Sequence, residues 1–139
     1  MPLNFKKASV TILVRKDFGV CYDFYTQKLG LRPVMGDRSG PWCGFVVEEG
    51  DKDEDYCFAI FSGEGQDAYK GYTQPSTTAQ PDTTSLCIPS DNVDEDYKRL
   101  KAAGVEFIGE PQTIEDWGMR CVYFRDPEGN LLSLDGAIT

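Results

Sequence analysis

A chain of 139 residues in which 14 Lys and Arg face 23 Asp and Glu carries a net charge of −9. That sign argues against nucleic acid and anionic membrane surfaces as partners, because both select basic patches. The length suits one domain, or two small modules sharing a core, with roughly 68% of the unfolded surface buried.

Ala8 to Val14 is a short aliphatic and β-branched run, which predicts a buried strand. Asp17 can cap the helix that follows. Phe18, Cys21, Tyr22, Tyr25 and Leu29 recur at three- and four-residue steps and give it one apolar face. Gly30 supplies a left-handed end. Leu31 to Met35, Cys43 to Val47 and Tyr56 to Phe61 are the next predicted strands, joined by the Gly-containing connectors Gly36–Gly40 and Glu48–Asp55. The acidic run Glu48–Asp55 lacks a calcium-loop pattern and reads as a solvated hairpin loop. Glu64 to Pro81 is polar and reads as a long loop at the seam between two modules.

Thr83 to Ile88 predicts a strand. Asn92 or Asp91 can cap the next helix, and Asn92 with Glu95 three residues on makes a start resembling a capping box. Val93, Tyr97 and Leu100 form the apolar stripe of that helix, and Gly104 ends it. Val105 to Ile108 is expected as a strand and Pro111 to Asp116 as a loop. The chain closes on a hairpin: the apolar runs Cys121–Phe124 and Leu131–Leu134 flank Asp126-Pro-Glu-Gly-Asn130. Pro127 presets φ for the first corner, and Gly129 accepts a positive φ. Asp17 to Gly30 and Asp91 to Gly104 each span thirteen steps, an offset of 74 at both ends, so the strand–helix–strands plan runs twice.

The five cysteines, Cys21, Cys43, Cys57, Cys87 and Cys121, are odd in number and form no CxxC pair. They read as small buried hydrophobes in a reducing compartment. The chain has no histidine to activate a catalytic thiol. Met1-Pro-Leu-Asn-Phe-Lys-Lys lacks the apolar core of a secretion signal, and no apolar run approaches the ~20 residues that span a bilayer. A cytoplasmic protein is expected.

Tyr123-Phe-Arg-Asp-Pro-Glu-Gly-Asn-Leu-Leu-Ser-Leu134 resembles the C-terminal signature of the vicinal oxygen chelate superfamily, which includes glyoxalase I, bleomycin-resistance proteins and extradiol dioxygenases. Asp17 to Leu31, with Asp23-Phe-Tyr-Thr-Gln-Lys-Leu-Gly30, resembles its first-helix signature. The resemblance implies an α+β fold of two βαβββ modules, roughly residues 1–75 and 80–139, forming a curved mixed sheet around one cleft. It also implies a homodimer.

Metal enzymes of that superfamily hold a divalent ion with His, Glu or Gln from four strands, an open Lewis-acid arrangement. Carried onto this chain, the first position falls at Val10, or at Thr11 if the register slips by one. The second falls at Ala59 or Phe61, the third at Ser85 and the fourth at Ser133. None is an imidazole or a carboxylate, and serine hydroxyls are poor ligands for zinc, nickel or iron. The chain therefore resembles the ligand-lacking branch, whose drug-binding members sequester a compound unchanged, and no metal or other cofactor is expected.

A metal-free cleft needs aromatic walls with a few polar anchors. The candidates are Trp42, Phe45, Phe61, Trp117 and Tyr123, with Ser85, Arg120 and Ser133 as polar groups. Trp42 follows Gly40-Pro41 and Trp117 precedes Gly118, which places both near strand ends. The leading expectation is a metal-independent binding protein for a small molecule, cationic or aromatic, possessing no catalytic residue. The alternative is a lyase, isomerase or dioxygenase relative with a departed metal or acid/base site.

Overall fold

The computed structural model of the chain describes Leu3, residues 5–62 and residues 82–138. The expected loop over Glu64–Pro81, and with it the seam between modules, lies outside the described residues.

Strand β1 (Ser9–Leu13) leads to helix α1 (Phe18–Asp23), which continues as a wider turn of helix through Phe24–Lys28. Asp17 caps α1, its side chain accepting from the Val20 backbone N–H at 3.0 Å. Gly30 ends the helical segment at φ 76°. Three strands follow: β2 (Arg32–Val34), β3 (Trp42–Val46) and β4 (Phe58–Phe61). The acidic connector between β3 and β4 is tied to itself: Asp51 accepts from the backbone N–H of Val47 and Glu48, and Arg32 donates to the carbonyls of Glu48 and Asp51.

The second half repeats the plan with β5 (Thr84–Pro89), α2 (Val93–Ala102), β6 (Gln112–Ile114), β7 (Met119–Arg125) and β8 (Leu131–Ala137). Asn92 caps α2 by accepting from the Glu95 N–H at 3.1 Å. One expectation is corrected here. Val105–Ile108 is not a strand but makes a single bridge, Phe107 to Phe124. Val105 and Phe107 are taken up under α2, where Phe107 meets Tyr97 at 4.7 Å between ring centroids, and Ile108 packs against Phe61 and its neighbours. The sixth strand lies in the expected loop instead, where Gln112, Thr113 and Ile114 pair antiparallel with Cys121, Arg120 and Met119.

All eight strands form one curled mixed sheet in the order β2-β3-β4-β1-β5-β8-β7-β6. β1 runs parallel to β4, β5 runs parallel to β8, and β1 and β5 meet antiparallel at the centre. Both helices cover the convex face. Val14, Phe18, Cys43, Phe45 and Ile60 pack under α1, and Ile88, Val93, Val122, Phe124 and Leu134 pack under α2. Because side chains alternate along a strand, the neighbouring residues Thr11, Trp42, Phe61, Ser85, Tyr123 and Ser133 face the concave side. The curl brings β4 toward the β6–β7 turn. Leu13, Phe61, Ile114, Cys121, Tyr123 and Leu131 close into a second apolar cluster there.

Candidate functional site

The concave side holds a cleft of about 540 Å³. Its floor is set by the central strands. Thr11 of β1 pairs with Ser85 of β5, and Cys87 pairs with Ser9 on one side and Ser133 of β8 on the other. The Thr11 hydroxyl and Cys87 sulfur lie 3.4 Å apart, and the Ser133 hydroxyl donates to Asp135 at 2.9 Å. The walls are aromatic. Trp42 and Tyr56 meet edge to face at 5.0 Å between centroids, and Phe61 and Trp117 do the same at 5.6 Å. Trp117 stays 42% exposed at the mouth, on the 3₁₀ turn Glu115–Trp117 that Gly118 closes at φ 61°.

Six of the eight residues named from the sequence line this cleft: Trp42, Phe61, Ser85, Trp117, Tyr123 and Ser133. The other two sit on the convex side, one step out of phase. Phe45 is buried under α1, stacked on Phe58 at 5.5 Å. Arg120 points to α2, where its guanidinium donates twice to Asp94 at 2.7 and 2.9 Å and once to Thr113 at 2.8 Å. That pairing holds the Asp94 carboxyl below its ordinary range and raises Arg120.

The structure adds residues that were not named. Asp135 lies two places beyond Ser133, on the same face of β8 by the period of a strand. Burial pushes its pKa up to about 6, against the lowering pull of hydrogen bonds from Ser133 and Cys87. Burial, then the charge of Asp135, raises the Cys87 thiol to about 11 and the Cys121 thiol to about 12. Both thiols are therefore protonated near neutral pH and are not nucleophiles. Tyr56 and Ser9 also line the cleft, and Met35, Gly36 and Asp37 form one lip. Met35 holds a positive φ of 56°, which is uncommon for a residue with a side chain.

The register shows which of the residues that the resemblance implies as metal positions reach the cleft. Val10 faces away from it and is 41% exposed, whereas Thr11 lines it. Ala59 pairs with Thr11 and is fully buried, whereas Phe61 reaches the cleft. Ser85 and Ser133 both line it. Three hydroxyls with an alanine or phenylalanine do not fit a divalent transition metal, which wants imidazole, carboxylate or thiolate. Among the described residues, no group of three or more His, Cys, Asp or Glu is placed to hold a metal. Nor is any helix long and apolar enough to cross a membrane.

Comparison with protein families matches residues 8–134 to the model described as Glyoxalase/Bleomycin resistance protein/Dioxygenase superfamily. Comparison with curated proteins returned no match. Several solved structures are similar in fold. One is described as an NAD-dependent benzaldehyde dehydrogenase from Legionella pneumophila, with TM-score 0.65 and 16% identity over 94% of this chain and 99% of that one. A superfamily member from Vibrio splendidus 12B01 has TM-score 0.57 and 10% identity, covering 94% of this chain and 97% of its own. A methylmalonyl-CoA epimerase variant from Streptomyces coelicolor has TM-score 0.58 and 14% identity, covering 94% and 96%. Likeness at these identities shows the fold alone.

Proposed function

Since the chain belongs to the glyoxalase/bleomycin resistance protein/dioxygenase superfamily, we propose that it is a binding protein that holds a small molecule in the concave cleft without a metal. One observation supports this reading: Thr11, Phe61, Ser85 and Ser133, the residues that the resemblance carries onto the metal positions, all line the cleft, and none is an imidazole or a carboxylate. Aromatic walls with a few hydroxyls are the lining expected of a pocket that holds an organic molecule by contact.

The test is elemental analysis of the purified protein, with melting temperatures in nickel, zinc, manganese and ferrous iron and against a compound library. No stoichiometric metal, no shift with any of the four ions and a rise of several degrees with some compounds are expected. Stoichiometric metal, or stabilisation by metal and by no compound, overturns the reading.

A second reading, an enzyme of the same superfamily, is favoured by Asp135. A carboxyl in the cleft with a pKa near 6 exchanges protons close to neutral pH, as a general acid or base must. Mass spectrometry of a bound compound after long incubation separates the two. Recovery unchanged supports binding; conversion that disappears in Asp135→Asn supports the enzyme.

The homodimer expected from the resemblance belongs to the proposal. It is supported by an exposed apolar strip along the first helical segment, Val20, Phe24 and Leu29. Sedimentation at micromolar concentration should give twice the 15.5 kDa chain mass, and Phe24→Glu should shift it toward the single chain.

A further inference from the structure

Among the described residues, the charge inside the cleft has one sign. Among the described lining residues, the carboxylates are Asp37 at the lip and Asp135 at the floor, and no Lys or Arg lines it. Asp37 is already engaged, accepting from the Ser39 backbone N–H at 2.9 Å and from the Ser39 hydroxyl. Asp135 differs. Among the described residues, the donors to its side chain are the Ser133 hydroxyl and the Cys87 thiol, both neutral. It takes part in none of the ion pairs among the described residues, which join Arg38 to Asp23, Arg99 to Asp96, Arg120 to Asp94 and Arg125 to Asp82. A partly buried carboxylate without a counter-charge among the described residues is costly for the fold, and a cation arriving from outside relieves that cost. The same cleft is lined by aromatic rings in two edge-to-face pairs, whose faces attract flat molecules and cations alike.

We propose that the cleft takes an aromatic organic cation, with its protonated amine seated on the Asp135 carboxylate and its rings against Trp42, Tyr56, Phe61 and Trp117. This rests on the small-molecule reading above and names its ligand class. The ammonium supplies the charge-assisted hydrogen bonds that Ser133 and Cys87 leave unmade. The net charge of −9 draws cations toward the chain before they reach the cleft. A carboxylate- or phosphate-bearing ligand meets Asp37 at the lip and Asp135 at the floor, and nothing among the described lining residues pairs its charge.

Calorimetric titration with three probes of one shape tests this: 1-naphthylmethylamine, 1-naphthylmethanol and 1-naphthoate. The amine is expected to bind about tenfold or more tighter than the alcohol, with the carboxylate weakest. Asp135→Asn should bring the amine and alcohol close together, and Trp117→Ala should weaken both by a similar factor. Equal binding of amine and alcohol to the unaltered protein, or a preference for naphthoate, overturns the cation assignment and leaves small-molecule binding standing. An amine preference that survives in Asp135→Asn removes Asp135 as the anchor. Failure of all three probes overturns the aromatic-cation class, while hits in the compound library would still support the wider reading. The probe series on the unaltered protein decides the matter even if Asp135→Asn does not fold.

Discussion

Two charged side chains on neighbouring strands illustrate how one step of register separates a cleft residue from a scaffold residue. Asp135 of β8 faces the cleft, and Arg120 of β7 faces α2. The ordinary aspartate value is 3.8 and the folded value of Asp135 is about 6, so between them the folded protein holds a proton that the unfolded chain has released. Stability contributed by this group is therefore fully present below pH ~4, falls as pH rises to ~6, and is flat beyond. The shift corresponds to at most ~3 kcal/mol. Urea denaturation across that window should show the decline in the unaltered protein and its absence in Asp135→Asn. Arg120 gives the opposite expectation. Its bidentate pair with Asp94 is partly exposed, so Arg120→Ala should cost at most ~1 kcal/mol. Ligand affinity should not change, because the guanidinium does not line the cleft.

At the scale of the element, caps and turns were readable because their chemistry is local. Asp126 accepts from the backbone N–H of Glu128 and Asn130, both at 2.9 Å, and Gly129 takes φ 89°. Asn92→Ala should cost ~1 kcal/mol through loss of the α2 cap, measured as a lower urea midpoint with unchanged slope. The sixth strand was not readable, because Val105–Ile108 has the better strand composition and Gln112–Ile114 has the partner. Position relative to β7 decides, and that is a tertiary fact. Gly36 was seen only as part of a connector, but a side chain there would land on the Trp42 carbonyl and press on Cys43. Gly36→Ala should cost ~1–3 kcal/mol by overpacking and should displace Trp42 from the cleft wall. Lower stability together with weaker ligand binding is the expected result.

For the molecule as a whole, the two halves are joined by more than the central pair of strands. Arg125, at the end of β7, donates to both carboxylate oxygens of Asp82 at 3.0 and 2.9 Å and to the Gly129 carbonyl at 3.0 Å. Arg15, just past β1, donates to the Asp82 backbone carbonyl at 2.7 Å. This clasp ties the start of β5 to the closing hairpin and to the first half. Asp82→Ala takes the carboxylate from Arg125 while keeping the backbone carbonyl that Arg15 holds, and should cost ~2 kcal/mol in urea denaturation. Curling the sheet is also what makes a cleft, since Phe61 and Trp117 belong to opposite halves and touch only because β4 swings toward the β6–β7 turn.

The sequence by itself determined the strand–helix–strands repeat, the starts of both helices and the closing hairpin, while two signature stretches carried the resemblance to the superfamily. The first three are written in short-range periodicity or turn chemistry, which residues a few places apart can encode. It also determined that no imidazole could stand in the cleft, since the chain has none. Tertiary structure alone decided which side of each strand meets the cleft. The absolute phase of a two-residue period is invisible until the sheet curls, so Thr11 rather than Val10, and Tyr123 without Arg120, line it. For the same reason Asp135 emerged only in three dimensions. A lone aspartate near the end of a strand looks solvated in sequence, and only the fold places it, half-buried, in the cleft lining.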